Sequence, residues 1–144
     1  MKKFLLCLFL SQEVFAQNTP PADKVPRHEF IIKNFTTEDG IILPEAHIVY
    51  GTYGHLNATH SNAVLLPSHY MADRHGYEWL IGPGKALDTS KLFLVTTELF
   101  GNGHSSSPSN TPEPFHGPRF PLMKIRDNVE AVHRLLVADL QISH

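Results

Sequence analysis

Two loops of the sequence carry residues that could bind a ligand, and each follows an apolar run. Residues 67–73 (PSHYMAD) follow the run 63–66 (AVLL), and residues 98–105 (ELFGNGHS) come shortly after the run 92–95 (LFLV). In open parallel sheets, ligands bind beyond the carboxyl ends of the strands. We therefore expect the 67–73 loop and the 98–105 loop to meet and line a binding site.

A serine nucleophile would require a sharp strand-to-helix turn, usually G-x-S-x-G, that exposes the hydroxyl beside an oxyanion hole. The sequence contains no such pentapeptide. Residues 103–107 (GHSSS) begin correctly but end in serine, and Pro108 follows them in place of a helix. We therefore interpret this segment as a pocket-lining or hydrogen-bonded loop and assign no catalytic residue to it.

The ten histidines do not form a metal-binding pattern. His28 and Glu29 do not continue to H-E-x-x-H, and no histidine pair has an obvious helical ligand spacing. His69 and His75 are close enough along the chain to meet, but no cysteine partner or acidic cluster accompanies them. We expect His69 to orient its loop through a hydrogen bond, and we predict neither a metal nor another cofactor.

Composition and charge limit the class of protein. A hydrophobic content of 42% argues against disorder, and 144 residues are enough for one domain. The 12 basic and 14 acidic residues give a net charge of -2, and no basic run occurs. Nothing here favours a nucleic-acid partner or an anionic membrane partner.

The first 16 residues have the pattern of a signal peptide. Lys2 and Lys3 precede the apolar run 4–10, and residues 14–16 (VFA) resemble a cleavage site. The run is too short to cross a bilayer of roughly 30 Å as a helix. We therefore predict a leader over residues 1–16 and a periplasmic or secreted location.

Cleavage after Ala16 would remove the sole cysteine, Cys7, so the mature chain would depend on packing rather than on disulfides. We expect no membrane contact after cleavage. The polar, proline-rich residues 17–27 are interpreted as a linker, and residues 28–144 as the folded part.

Four segments predict strands. Residues 28–35 are strand-like, and residues 45–52 place Ala46, Ile48 and Tyr50 on one face. The turn sequence Asp39-Gly40 lies between the two segments, which favours an antiparallel pair. The continuous apolar runs 63–66 and 92–95 are typical of parallel strands that helices cover. The chain is therefore predicted to be an α/β fold, with an antiparallel strand pair followed by parallel strands and crossover helices.

Residues 77–81 predict a short helix between the two parallel strands. Residues 101–121 are too long and irregular for a simple connector, which favours a functional loop. Helical spacing predicts a helix over residues 125–139, with an apolar face made of Ile125, Val129, Val132, Leu136 and Leu140. The opposite, polar face contains Arg126, Asp127, Glu130 and Arg134.

Several spaced blocks, in order, resemble the homoserine O-acetyltransferase family of the α/β-hydrolase superfamily. The blocks are residues 48–57 (IVYGTYGHLN), 61–65 (SNAVL), 81–89 (IGPGKALDT), 101–108 (GNGHSSSP), 120–121 (FP) and 125–128 (IRDN). The resemblance implies the N-terminal portion of the α/β-hydrolase fold, truncated before the strand of the nucleophile elbow. It implies a small-molecule acyl or ester substrate, and it places the Ser, Asp and His triad beyond His144.

The resemblance also assigns roles to the two loops. His69-Tyr70-Met71 matches a histidine-alanine-leucine string of the family, which implies that the backbone N–H of Met71, or alternatively that of Tyr70, is an oxyanion donor. Pocket-lining residues are then expected to be His69, Gly101, Asn102, Gly103 and His104. The family topology inserts the next strand beside residues 63–66, so residues 17–144 alone are expected to be poorly stable and inactive.

The family continues with threonine-glycine-aspartate where this chain has Ala72-Asp73-Arg74. Together with the leader, this favours a related hydrolase or acyltransferase with a substrate other than homoserine. The alternatives are a catalytically inactive truncated fragment, an exported binding protein, and a small exported metal-binding protein. The sequence leaves open the acyl acceptor, the choice between transfer and hydrolysis, and the oligomeric state, including whether the chain oligomerises.

Overall fold

The computed structural model describes residues 25–142. The predicted leader (residues 1–16, with Cys7) and most of the predicted linker lie outside the described residues, as do residues 143 and 144. Within residues 25–142, no helix combines the length and the apolar character that spanning a membrane requires.

The described residues form a mixed four-stranded sheet and one α-helix. The elements are β1 (His28–Thr36), β2 (Ile42–Tyr53), β3 (Ala63–Pro67), β4 (Phe93–Thr97) and α1 (Ile125–Arg134). The strand order is β1-β2-β4-β3; β1 pairs antiparallel with β2, β2 antiparallel with β4, and β3 parallel with β4. This confirms the predicted antiparallel pair followed by a parallel pair.

A tight turn joins β1 to β2, as the Asp39-Gly40 sequence predicted. The Thr37 N–H donates to the Ile41 carbonyl at 2.8 Å, and Gly40 adopts a φ of 80°. Only glycine enters this left-handed region without steric cost. The turn sets the register, which places Phe30 opposite Ile48, and a one-residue slip would exchange the two faces of the sheet.

The core lies between the sheet and α1. Phe35, Leu43 and Ile48 from the β1–β2 hairpin pack with Val95 of β4 and with Leu135, and all five are fully buried. Each such side chain contributes about 1.5–3 kcal/mol through its removal from water. Strands β2 and β4 are the inner strands of the sheet, and β4 is almost completely buried, whereas β3 lies at one edge.

The helical segment packs on the core with part of the predicted apolar face, since Val132 is buried and Leu136 and Leu140 pack against the core. Ile125 is 85% exposed and Val129 is 63% exposed, whereas Asp127, Ala131 and Leu135 are buried. Asp127, which was predicted on the polar face, is buried because its carboxylate accepts the N–H groups of Glu38 and Lys124, each at 2.7 Å. These hydrogen bonds bind the start of α1 to the β1–β2 turn, with the polar residue inward.

The first part of the predicted apolar face, Ile125 and Val129, is mostly exposed and lines an open groove of about 420 Å³. Its other wall is formed by Leu65 and Pro67 of the edge strand β3, together with Leu99. No residue among 25–142 covers this groove, so part of the helix face that was predicted to be buried remains in contact with solvent.

The remaining predicted helices are short or change geometry. Residues 77–81 contain a single 3₁₀ turn, Glu78–Leu80, and the 101–121 segment contains another, Gly117–Arg119. The predicted 125–139 helix is α-helical only to Arg134 and then widens into a π-helical turn, Leu135–Asp139, closed by Leu140 N–H to Leu135 carbonyl at 3.2 Å.

Candidate functional site

The two loops predicted to form a site meet around an open cavity of about 700 Å³, beyond the carboxyl ends of β3 and β4. The 67–73 loop contributes His69, Tyr70, Met71 and Asp73, and the 98–105 loop contributes Leu99, Phe100, Gly101, Asn102 and His104. Gly103 is not among the lining residues; its N–H donates to the Ser107 hydroxyl at 2.8 Å. The cavity thus combines backbone amides, amide and imidazole side chains, and two apolar side chains.

Met71 has a strained backbone at the rim of this cavity. Its φ of 61° lies in the left-handed region, and its side chain is 91% exposed. Such a conformation is uncommon for a residue other than glycine and costs about 1–3 kcal/mol. Packing of the exposed side chain does not account for it. Strained backbone of this kind is concentrated at functional sites.

The N–H groups of Tyr70 and Met71 donate to no other group within residues 25–142. The next residue differs, because the Ala72 N–H donates to the His69 carbonyl at 3.0 Å and closes the turn. Two consecutive amide donors are therefore left for solvent or a ligand in the wall of the cavity. This is the local arrangement that binding of a carbonyl oxygen or an anion requires.

His69 organises this turn. Its Nδ1 lies 3.0 Å from the Tyr70 carbonyl oxygen, and its ring packs edge-on against Tyr77 with centroids 5.2 Å apart. Gly76 permits the arrangement, because a Cβ there would lie 2.8 Å from His69 Nε2. These are loop-orienting contacts of the kind expected for His69.

A buried glutamate, which sequence reasoning missed, connects the two loops. Glu98 is 2% exposed; its Oε1 accepts the Arg74 N–H at 2.9 Å and its Oε2 accepts from Asn102 Nδ2 at 2.6 Å. The available signal was its position, since a charged residue directly after a buried strand must find partners at the end of the sheet.

Three serines of the 98–107 region are buried and hold the loop to β2. The Ser105 hydroxyl accepts the Val49 N–H at 3.0 Å, and the Ser106 hydroxyl accepts the His47 N–H at 2.8 Å. The Ser107 hydroxyl donates to the Ser105 carbonyl at 2.7 Å. These contacts match the hydrogen-bonded loop that was predicted for this segment, and burial of all three hydroxyls is unsuited to nucleophilic attack.

Three residues that could ligate a metal also meet here, and they do not include the pair His69 and His75, for which no metal site was predicted from the sequence. Asp73, Glu98 and His104 each place one ligand atom within 4.8 Å of the others. Both Glu98 oxygens already accept hydrogen bonds, so the grouping is explained without an ion. His75 instead pairs with Glu78, its Nδ1 lying 2.6 Å from the carboxylate.

The Glu78 carboxylate also accepts the Tyr53 hydroxyl at 2.7 Å. Burial raises the pKa of Tyr53 well above its usual value, and the hydrogen bond to the Glu78 carboxylate raises it further. The phenol therefore remains a donor and does not act as a base. The Tyr53–Glu78–His75 group is a structural network that supports the end of the 67–73 loop.

No family model matches the sequence. The chain is 42% identical over 100 residues to an ethyl acetate hydrolase of Pseudomonas veronii, a match that covers 69% of this chain and 29% of that protein. It is 34% identical over 111 residues to a homoserine O-acetyltransferase of Chlorobium chlorochromatii, covering 72% of this chain and 31% of that protein. The chain thus spans less than a third of either relative.

The structure is similar to a crystal structure of an acetylester hydrolase from Corynebacterium glutamicum. The TM-score is 0.79 at 34% identity, over 83% of this chain and 35% of that one. The described residues therefore have part of the α/β-hydrolase fold, and the homologues of the chain are homoserine acyltransferases and acetyl esterases.

Proposed function

We propose that this chain, a partial α/β-hydrolase fold homologous to homoserine acyltransferases and acetyl esterases, is the N-terminal part of a serine-dependent acyltransferase or ester hydrolase. The substrate is an ester of a small acyl group. In this proposal the nucleophile, the acid and the histidine base belong to residues that follow His144, and residues 25–142 supply one wall of the active site.

The backbone of Met71 is the observation that carries the proposal. Met71 lines the cavity, its N–H donates to no group within residues 25–142, and its exposed side chain does not explain its left-handed conformation. Acyl transfer through a serine builds negative charge on the carbonyl oxygen, and fixed N–H donors stabilise that charge. We assign the Met71 N–H, with Tyr70 as the neighbouring donor, to this oxyanion.

The lining of the cavity supports a small, uncharged acyl group. Leu99 and Phe100 offer apolar surface, and neither lysine nor arginine is among the residues that line it. Asp73 adds a carboxylate to the same wall. An acyl group with its own carboxylate would find no cationic partner on this side of the site and would meet a like charge.

In the proposed reaction, the serine hydroxyl attacks the ester carbonyl while the histidine takes its proton. The carbonyl oxygen becomes an oxyanion that accepts the Met71 N–H. Collapse of the intermediate expels the alcohol, which receives the proton from the histidine. The acyl-enzyme then passes its acyl group to a hydroxyl acceptor or to water.

The test uses the full-length protein and the hydrolysis of p-nitrophenyl acetate. Met71→Gly retains the N–H and favours the left-handed backbone, so its kcat should remain near that of the wild type. Met71→Val retains the N–H, but a β-branched residue resists a φ of 61° and should displace the donor. We expect kcat to fall about 10²-fold with KM nearly unchanged.

Equal kcat values for the two variants would contradict the assignment of Met71. A wild-type protein that neither hydrolyses the ester nor reacts with a fluorophosphonate would contradict the proposal as a whole. The chain would then be an inactive fragment or an exported binding protein, as the sequence also allowed.

We also propose that the protein is exported to the periplasm or secreted. The support is the sequence pattern alone, namely Lys2 and Lys3 before the apolar run 4–10 and the cleavage-site pattern at residues 14–16.

A further inference from the structure

A single buried carboxylate connects the two walls of the candidate active site. Glu98 begins the second loop; its Oε1 accepts the backbone N–H of Arg74, directly after the first loop, and its Oε2 accepts from the side chain of Asn102 within the second loop. The distances are 2.9 and 2.6 Å, and Glu98 is almost completely buried. Hydrogen bonds to an ionised acceptor are among the stronger ones in proteins.

The other hydrogen bonds of Asn102 fix which of its side-chain atoms faces Glu98. Its Oδ1 accepts the N–H of His104 at 3.0 Å and that of Ser105 at 3.3 Å. The Asn102 amide therefore presents only its Nδ2 to Glu98. Because the Arg74 N–H is also a donor, position 98 must accept hydrogen bonds at both oxygens.

The charged and titratable groups that face Glu98 do not replace these hydrogen bonds. Asp73 and His104 each approach within 4.8 Å, and Asp73 is a like charge. A buried carboxylate beside another carboxylate is tolerated only if its own acceptors are satisfied. The bonds to Arg74 and Asn102 meet that requirement.

We infer that Glu98 is a positioning residue, which holds the 67–73 loop against the 98–105 loop so that the Met71 N–H keeps a fixed place in the cavity. Met71 lies three residues before Arg74. Two hydrogen-bonded turns, closed by the Ala72 N–H to the His69 carbonyl and by the Gly76 N–H to the Asp73 carbonyl, connect Met71 to the anchored Arg74. The catalytic consequence rests on the proposed function. The mechanical connection between the loops does not.

The informative change is E98Q, which is nearly isosteric. The new amide can accept from only one of the two donors and directs its own NH₂ at the other. Rotation of the Asn102 amide does not relieve the conflict, because it would oppose the N–H groups of His104 and Ser105. Either the contact between the two loops or the contact that holds Glu98 within the second loop is therefore lost.

The double variant E98Q/N102D should restore the hydrogen bond between positions 98 and 102, with donor and acceptor exchanged. The new carboxylate at position 102 accepts from the new amide and still accepts the N–H groups of His104 and Ser105. The net charge of the pair is unchanged. E130Q is a matched control, because Glu130 pairs with Arg134 on the exposed face of α1, away from both loops.

Hydrogen exchange in the full-length protein measures the connection directly. In E98Q, peptides covering residues 67–73 and 98–105 should exchange about tenfold faster, the change expected when one buried donor is left unpaired. In the double variant, the exchange rates of these peptides should return to within about threefold of the wild-type rates, and in E130Q they should equal the wild-type rates. The kcat for p-nitrophenyl acetate should follow the same order while KM stays constant.

Unchanged exchange in E98Q, or exchange that the double variant does not restore, would overturn the inference. Restored exchange without restored kcat would also overturn the positioning role, since position and rate would then be independent. A wild-type protein without hydrolytic activity would reject the proposed function instead, and the exchange measurement would still decide whether Glu98 connects the loops.

Discussion

The guanidinium of Arg74 occupies the space next to Gly51 that a side chain would otherwise fill. A Cβ at Gly51 would lie 2.8 Å from Arg74 Nη1, 3.2 Å from Val25 Cγ1 and 3.3 Å from Thr96 Oγ1. The Arg74 side chain, just after the loop that follows β3, therefore lies directly against the backbone of Gly51 near the end of β2. We therefore expect substitution of Gly51 to disturb Arg74, which directly follows the 67–73 loop.

We expect Gly51→Ala to destabilise the protein by about 1–3 kcal/mol, the usual cost of overpacking. The added methyl group must displace the buried guanidinium, whose flexible end can move only partly. Denaturant unfolding of the full-length protein measures the loss. In an Arg74→Met background the penalty should shrink, and an equal penalty in both backgrounds would show that the two residues do not compete for space.

Gly54→Ala should be more damaging than Gly51→Ala. Gly54 has a φ of 75°, and a Cβ there would lie 2.2 Å from the Leu92 carbonyl oxygen, which is backbone and cannot move aside. We expect a loss of about 3 kcal/mol or more, or no soluble protein. Comparable melting temperatures for the two alanine variants would contradict this order.

The polypeptide of residues 17–144 should not hydrolyse an activated ester. Ser105, Ser106 and Ser107 are buried and act as hydrogen-bond partners within the loop and to β2, so none is available as a nucleophile. In the full-length protein, Ser105→Ala should cost about 1–3 kcal/mol of stability by leaving the Val49 N–H unpaired. Activity per folded molecule should persist. Loss of turnover without loss of stability would make one of these serines the nucleophile after all.

Residues 17–144 expressed alone should aggregate, oligomerise or melt without cooperativity. The groove between β3 and α1 leaves Ile125 and Val129 mostly exposed, and β3 is an edge strand with unpaired backbone groups. Each uncovered aliphatic side chain forfeits about 1.5–3 kcal/mol relative to burial. Light scattering and a thermal melt test this, and a monomer with a sharp transition would contradict it.

A pair of matched double variants tests whether further chain covers the groove in the full-length protein. Ile125→Gln with Val129→Gln should improve the solubility of residues 17–144, because the apolar surface is smaller. In the full-length protein the same change should destabilise if further chain covers the groove. Arg126→Gln with Glu130→Gln, on the predicted polar face of α1, is the control. An equal effect of both pairs in both proteins would exclude a specific role for the groove.

N-terminal sequencing of the protein from exporting cells should begin at Gln17. Lys2, Lys3 and the following apolar run motivate cleavage after Ala16. A chain that still starts with Met1 would contradict the predicted leader.

The sequence by itself determined the order and type of the main elements and the meeting place of the two loops. Alternation and the Asp39-Gly40 turn are local signals, and they were enough for the β1–β2 hairpin. The apolar runs identified β3 and β4 because parallel strands are typically covered by helices on both faces and so read as continuous apolar runs. The carboxyl ends of such strands meet at one edge, so the cavity between the loops followed from topology alone.

Only the tertiary structure decided the orientation of α1 and the partners of Glu98. Periodicity finds the apolar face of a helix, but it cannot tell which part of that face meets the core and which part lines an open groove, nor that Asp127 is buried by hydrogen bonds to Glu38 and Lys124. The Glu98–Arg74 contact joins residues 24 positions apart, one in the second loop and the other just after the first. A buried charge is stable only where distant donors converge on it, and that convergence is a property of the folded chain.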